Sequence, residues 1–66
     1  MAVKDFYGTT LTLEDTVVML PSYKRGVITK LSEKEIIPGY IEKYLILDHW
    51  LRVPPYACIL YIKGGN

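Results

Sequence analysis

The apolar residues of this chain fall into short runs rich in β-branched and aromatic types, each cut from the next by a glycine, a proline, a serine or a pair of charges. That punctuation is the pattern of β-strands joined by turns, and no helix is needed to account for it. With 66 residues, the chain has room for one domain and sits near the lower limit for burying a useful core. Half of its residues are hydrophobic, which excludes intrinsic disorder. The expectation is a single small all-β domain over 1–66, its core spanning 10–62 and its last residues, 63–66, forming a flexible tail.

Thr10-Leu11-Thr12-Leu13 alternates polar and apolar residues, which predicts Leu11 and Leu13 on one face of a short strand or lead-in segment. A turn at Glu14-Asp15 precedes Thr16-Val17-Val18-Met19-Leu20, apolar on both faces, as where a strand is covered on two sides or helps form a second interface. Pro21-Ser22 ends it. After a loop through Tyr23, Lys24, Arg25 and Gly26, the next run places Val27, Thr29 and Leu31 on one face, with Ile28 and Lys30 on the other. The polar Ser32-Glu33-Lys34-Glu35 reads as a solvated turn, and with the Pro38-Gly39 bend it makes residues 32–39 one irregular connection. Tyr40 to Leu47 is the longest strand candidate. Asp48-His49 fits a two-residue hairpin turn that pairs Leu47 with Trp50, Ile46 with Leu51, Leu45 with Arg52 and Tyr44 with Val53. Two prolines take Val53-Pro54-Pro55-Tyr56 out of the strand, and Ala57 to Ile62 starts a last one.

Eight Lys and Arg against seven Asp and Glu give a net charge of +1, too little for the broad positive field that non-specific polyanion binding exploits. The positive charge is local: Lys24, Arg25 and Lys30 have no acid beside them between residues 16 and 32. Cys58 is the single cysteine, and small secreted domains usually rely on several disulfides, so the expected compartment is reducing: the cytoplasm of a cell or of an infected host. No apolar core of a signal peptide opens the chain, and no apolar stretch approaches the roughly 20 residues of a membrane span. No membrane partner is expected.

Short strands with a long first connection, one tight hairpin and a proline-led turn before the last strand resemble an SH3-like small barrel over most of residues 10–62. The resemblance implies a five-stranded barrel with a short 3₁₀ turn before the last strand. Thr16-Val17-Val18 followed by Lys24-Arg25-Gly26-Val27-Ile28-Thr29-Lys30-Leu31 is similar to a KOW-type segment, in which a hydrophobic strand, a basic loop, a glycine and a second strand follow one another. Such segments occur in ribosome- and transcription-associated proteins and in small phage-encoded ones. In protein-binding members of the SH3 fold, a proline and a tyrosine in the turn before the last strand help form a ligand groove. The matching positions here are Pro54 or Pro55 and Tyr56.

The usual chemistry of enzymes is missing. One histidine and one cysteine build no ordinary metal site, and no glycine-rich loop has phosphate-binding spacing, so neither metal nor cofactor is expected. Cys58 lies in an apolar run and reads as a buried, inert thiol. His49 reads as a turn histidine facing solvent, since no nucleophile or carboxylate is placed near it by sequence. Glu33, Glu35 and Glu42 serve solubility. The chain is not expected to be an enzyme.

A barrel this short buries roughly 60% of the surface its unfolded chain exposes, so part of the apolar surface must stay outside. One reading is a protein-binding adaptor or inhibitor using Tyr23, Trp50, Pro54, Pro55 and Tyr56, because exposed aromatic rings bring large contact area with few rotors to freeze. Self-association through residues 16–20 is a related reading. The alternative is nucleic-acid binding through Lys24, Arg25 and Lys30, with Tyr23 or Trp50 stacked on a base. The low net charge favours the protein partner.

Overall fold

The computed structural model describes residues 3–64. Five strands form one antiparallel sheet: β1 (Thr16–Met19), β2 (Arg25–Ile37), β3 (Tyr40–Leu47), β4 (Leu51–Val53) and β5 (Cys58–Ile62). Their order is β4-β3-β2-β1-β5, and a 3₁₀ turn at Pro55–Ala57 leads into β5. The all-β class and the turn before the last strand are as the sequence predicts. The sheet is not closed; β4 and β5 are its edges. Long β2 joins its two halves, pairing with β1 through Arg25–Val27 and with β3 from Ile28 onward. Among the described residues no helix is long and apolar enough to cross a membrane.

Strand alternation supplies the core. Val17, Ile28, Leu45, Leu47 and Cys58 are wholly buried and Val3 and Leu11 nearly so, and Met19, Leu31, Leu51, Val53 and Leu60 pack against them. On β3 and β4 the inward residues face one another, Leu45 opposite Val53 and Leu47 opposite Leu51. Gly26 suits this packing, because a Cβ there would press on the Leu47 side chain at 3.0 Å. Of the doubly apolar β1, Val17 is inside, while Val18 and Met19 are half-buried.

Ile28, not Val27, joins Leu31 in the core, because the register of β2 breaks between Ile28 and Lys30 and the expected alternation of Val27, Thr29 and Leu31 is lost. Four further expectations change. Ser32–Glu35 is not a turn: β2 runs through it to Ile37, and the bend is confined to Pro38-Gly39, with Gly39 at φ 88°. The cause is cross-strand charge. Glu33 lies opposite Lys43 and Lys34 opposite Glu42, with Lys43 Nζ 3.3 Å from Glu33 Oε2, so the charges that suggested a solvated turn are strand partners.

The second change is the β3–β4 register, which pairs Leu45 with Val53, Ile46 with Arg52 and Leu47 with Leu51. Asp48 and His49 take left-handed φ of 53° and 71°, the Trp50 amide donates to the Leu47 carbonyl at 3.1 Å, and Trp50 is one residue more than a two-residue turn contains. The loop is held from β2. Asp48 Oδ1 accepts from the Val27 amide at 3.1 Å. Thr29, at a break in the β2–β3 register, accepts from the His49 amide and donates to the Ile46 carbonyl, both at 3.0 Å.

Third, Leu11 is buried but Leu13 is exposed, because the chain turns at Leu13 and Glu14, the latter at φ 72°. Fourth, the chain is tied down as far as Gly64. The Gly64 amide donates to Asp15 Oδ1 at 2.9 Å and Lys63 Nζ lies 3.2 Å from Asp15 Oδ2. Gly65 and Asn66, the rest of the expected tail, lie outside the described residues.

Two buried carboxylates organise the N-terminal segment. Asp5 Oδ1 accepts from the Tyr7 and Thr9 amides, and Oδ2 from the Leu60 amide at 2.8 Å, stitching that segment to β5. Asp15 also accepts from the Thr12 amide and hydroxyl. Burial alone would raise the Asp15 carboxyl, but the donors from Gly64, Thr12 and Lys63 outweigh it and leave its pKa below the ordinary value.

Candidate binding groove

Pro54 and Pro55 have no amide hydrogen to continue a ladder, so β4 stops after three residues while β3 runs on past it. The space left beside residues 40–44 is an open groove of about 970 Å³, bounded also by Lys4, Arg52, Val53, Pro54, Pro55 and Tyr56. Pro55 is buried and anchors the turn, whereas Tyr56 is 72% exposed.

One wall of the groove is preorganised. The Arg52 guanidinium sits 4.1 Å from the Tyr44 ring centroid, and its Nη2 is 3.3 Å from Glu42 Oε2. A cation over a ring at an exposed site contributes about 0.5–1 kcal/mol. The hydrogen bond with Ser32, then the positive charges of Lys30 and Arg52, hold the Tyr44 phenol below its usual pKa despite burial. The groove therefore offers three exposed or half-exposed phenol rings, Tyr40, Tyr44 and Tyr56, a fixed guanidinium and a proline shelf, a set suited to holding a chain segment.

Of the residues singled out by sequence, Pro54, Pro55 and Tyr56 are brought together here. Tyr23, 73% exposed at φ 63° between β1 and β2, and Trp50, 74% exposed on the β3–β4 loop, are not part of this groove. The basic set also divides. Lys24 and Arg25 are exposed, Arg25 stacking 5.0 Å from the ring of Tyr61 on β5, whereas Lys30 acts on Tyr44 of β3, across the sheet. Sequence reasoning missed Lys4, Tyr40, Ile41, Tyr44 and Arg52. The usable signal was the outward alternation of Glu42, Tyr44 and Ile46, which pairs with Arg52 only in the observed register.

Two residues read as chemically quiet are placed accordingly. Burial, with a contribution from the Asp5 charge, pushes the Cys58 thiol up to about 11, and its Sγ lies 3.7 Å from the Pro54 carbonyl. His49 is exposed at the rim of a smaller depression of about 600 Å³ that also involves Leu13, Val27 and Thr29. In comparisons with known proteins, the chain matches no family model, no curated protein and no solved structure.

Proposed function

We propose that this chain is a non-enzymatic binding module, an adaptor or inhibitor, that holds a segment of another protein in the groove beside Pro54, Pro55 and Tyr56. The observation that carries the reading is the convergence there of the proline turn, exposed Tyr56 and the fixed Tyr44–Arg52 pair. Aromatic and arginine side chains at the centre of a concave site are the usual anchors of protein interfaces. The strand order and the 3₁₀ turn before β5 support a relationship to SH3-like small barrels. The succession of β1, a connection ending at Lys24 and β2, which opens with Arg25 and Gly26, supports a KOW-type segment within it. A buried free thiol suits a reducing compartment such as the cytoplasm.

Enrichment from a displayed library of random peptides tests the proposal. Selected peptides are expected to lose at least tenfold in affinity with Tyr56→Ala or Arg52→Ala and to be indifferent to Lys24→Glu combined with Arg25→Glu. The opposite outcome is no enriched peptide, together with a nucleic-acid shift at low salt whose salt slope of about −3 disappears in the Lys24→Glu, Arg25→Glu variant. That result would assign the chain to nucleic-acid binding through Lys24, Arg25 and Lys30.

A further inference from the structure

We infer that the bound segment enters the groove as an added β-strand on the open edge of β3, extended and acidic in character. The inference rests on reading the groove as a protein-binding site and names the form of its ligand. Successive side chains of a strand point to opposite faces, so a cleft lying over one face meets every second residue, whereas one running along the backbone edge meets them all. The groove is lined by the consecutive residues 40–44. It follows the edge.

That edge is open for a structural reason. β4 covers only Leu45–Leu47, and among the described residues no strand pairs with Tyr40, Ile41 or Glu42 on the side away from β2. Pro54 and Pro55 prevent the chain from extending β4 itself, so the amide and carbonyl groups along this stretch remain a template for an incoming strand. The proline turn and Tyr56 then form the far wall against which alternate side chains of the ligand pack.

Charge and symmetry define the partner. Lys4, Lys43 and Arg52 line the groove; Glu33 balances Lys43 and Glu42 balances Arg52, so the excess is the positive charge of Lys4, which complements an acidic side chain. A second copy centred on Glu42 or Lys43 is a poor occupant. Two β3 edges related by a two-fold axis pair residues of the same face, and an axis centred on the charged part of this edge sets Glu42 opposite Glu42 or Lys43 opposite Lys43. Like charges directly opposite are destabilising.

The test uses the whole chain and peptides enriched from a random ten-residue library, resynthesised with single backbone N-methyl groups. Enriched sequences are expected to alternate β-branched with acidic or small polar residues. N-methylation should cost at least tenfold at alternate positions and less than twofold between them, with amide shifts concentrated at residues 40–44. Lys4→Glu should weaken acidic peptides about threefold while leaving the far-UV spectrum unchanged. Affinity indifferent to N-methylation, with shifts centred on Tyr56, would remove the added strand and leave the groove a binding site. Preference for basic peptides, or protection of the same amides rising with protein concentration alone, would also overturn it. Enrichment of no peptide would remove both the strand and the binding reading.

Discussion

Asp15 shows how much one residue can hold in so small a domain. Its wholly buried carboxylate gathers donors from Thr12, Lys63 and Gly64, and so links the turn before β1 to the residues after β5. Asp15→Ala leaves those donors without their acceptor, at a cost of about 1–3 kcal/mol. The pH dependence has a definite sign. A carboxyl whose folded pKa lies below its unfolded value of 3.8 stabilises the fold fully above that value, and the contribution fades as pH falls through the folded pKa. Urea midpoints of wild type and Asp15→Asn should therefore differ most at pH 7, and the gap should narrow progressively as the pH is lowered below 3.8. A gap that persists at low pH would place the stabilisation in packing rather than charge. His49 offers the converse case. At φ 71° it occupies left-handed backbone that costs a side-chain-bearing residue roughly 1–2 kcal/mol. Because glycine loses about 0.5–1 kcal/mol in conformational freedom, His49→Gly should raise stability by about 0.5–1 kcal/mol, measured by thermal unfolding.

At the scale of elements, the β3–β4 loop is positioned by β2 rather than by its own sequence. Thr29 links the His49 amide to the Ile46 carbonyl through one hydroxyl. Thr29→Val, nearly the same shape without that hydroxyl, should cost about 1–2 kcal/mol and speed exchange of the His49 amide, with little change elsewhere. This dependence explains what was legible in the sequence. The strand runs, the proline turn and the buried Cys58 follow from local composition and were visible. The length of β2 and the β3–β4 register were not, because both are decided across strands: Glu33 and Lys34 become strand residues only beside Lys43 and Glu42. The same limit applied to the site. Pro54, Pro55 and Tyr56 sit in one local motif, but Tyr44 and Arg52 meet only once the register is known.

For the whole molecule, a chain of 66 residues has a total stability of about 3–10 kcal/mol, and that stability is unevenly distributed. Among the described residues seven apolar side chains form the buried core, while Trp50 and Tyr56 are more than 70% exposed. Leu45→Ala, deleting a wholly buried side chain at the centre of the sheet, should cost about 2–5 kcal/mol, enough to leave a visibly unfolded fraction at 37 °C. Trp50→Ala removes a larger side chain yet should change stability by less than about 0.5 kcal/mol, because the ring is already in water. The two substitutions, followed by far-UV circular dichroism during heating, separate what holds this fold from what it presents. Tryptophan fluorescence supplies an independent check. The native emission should already be that of a solvated indole and shift little on unfolding, and a large red shift would mean that Trp50 is covered in solution.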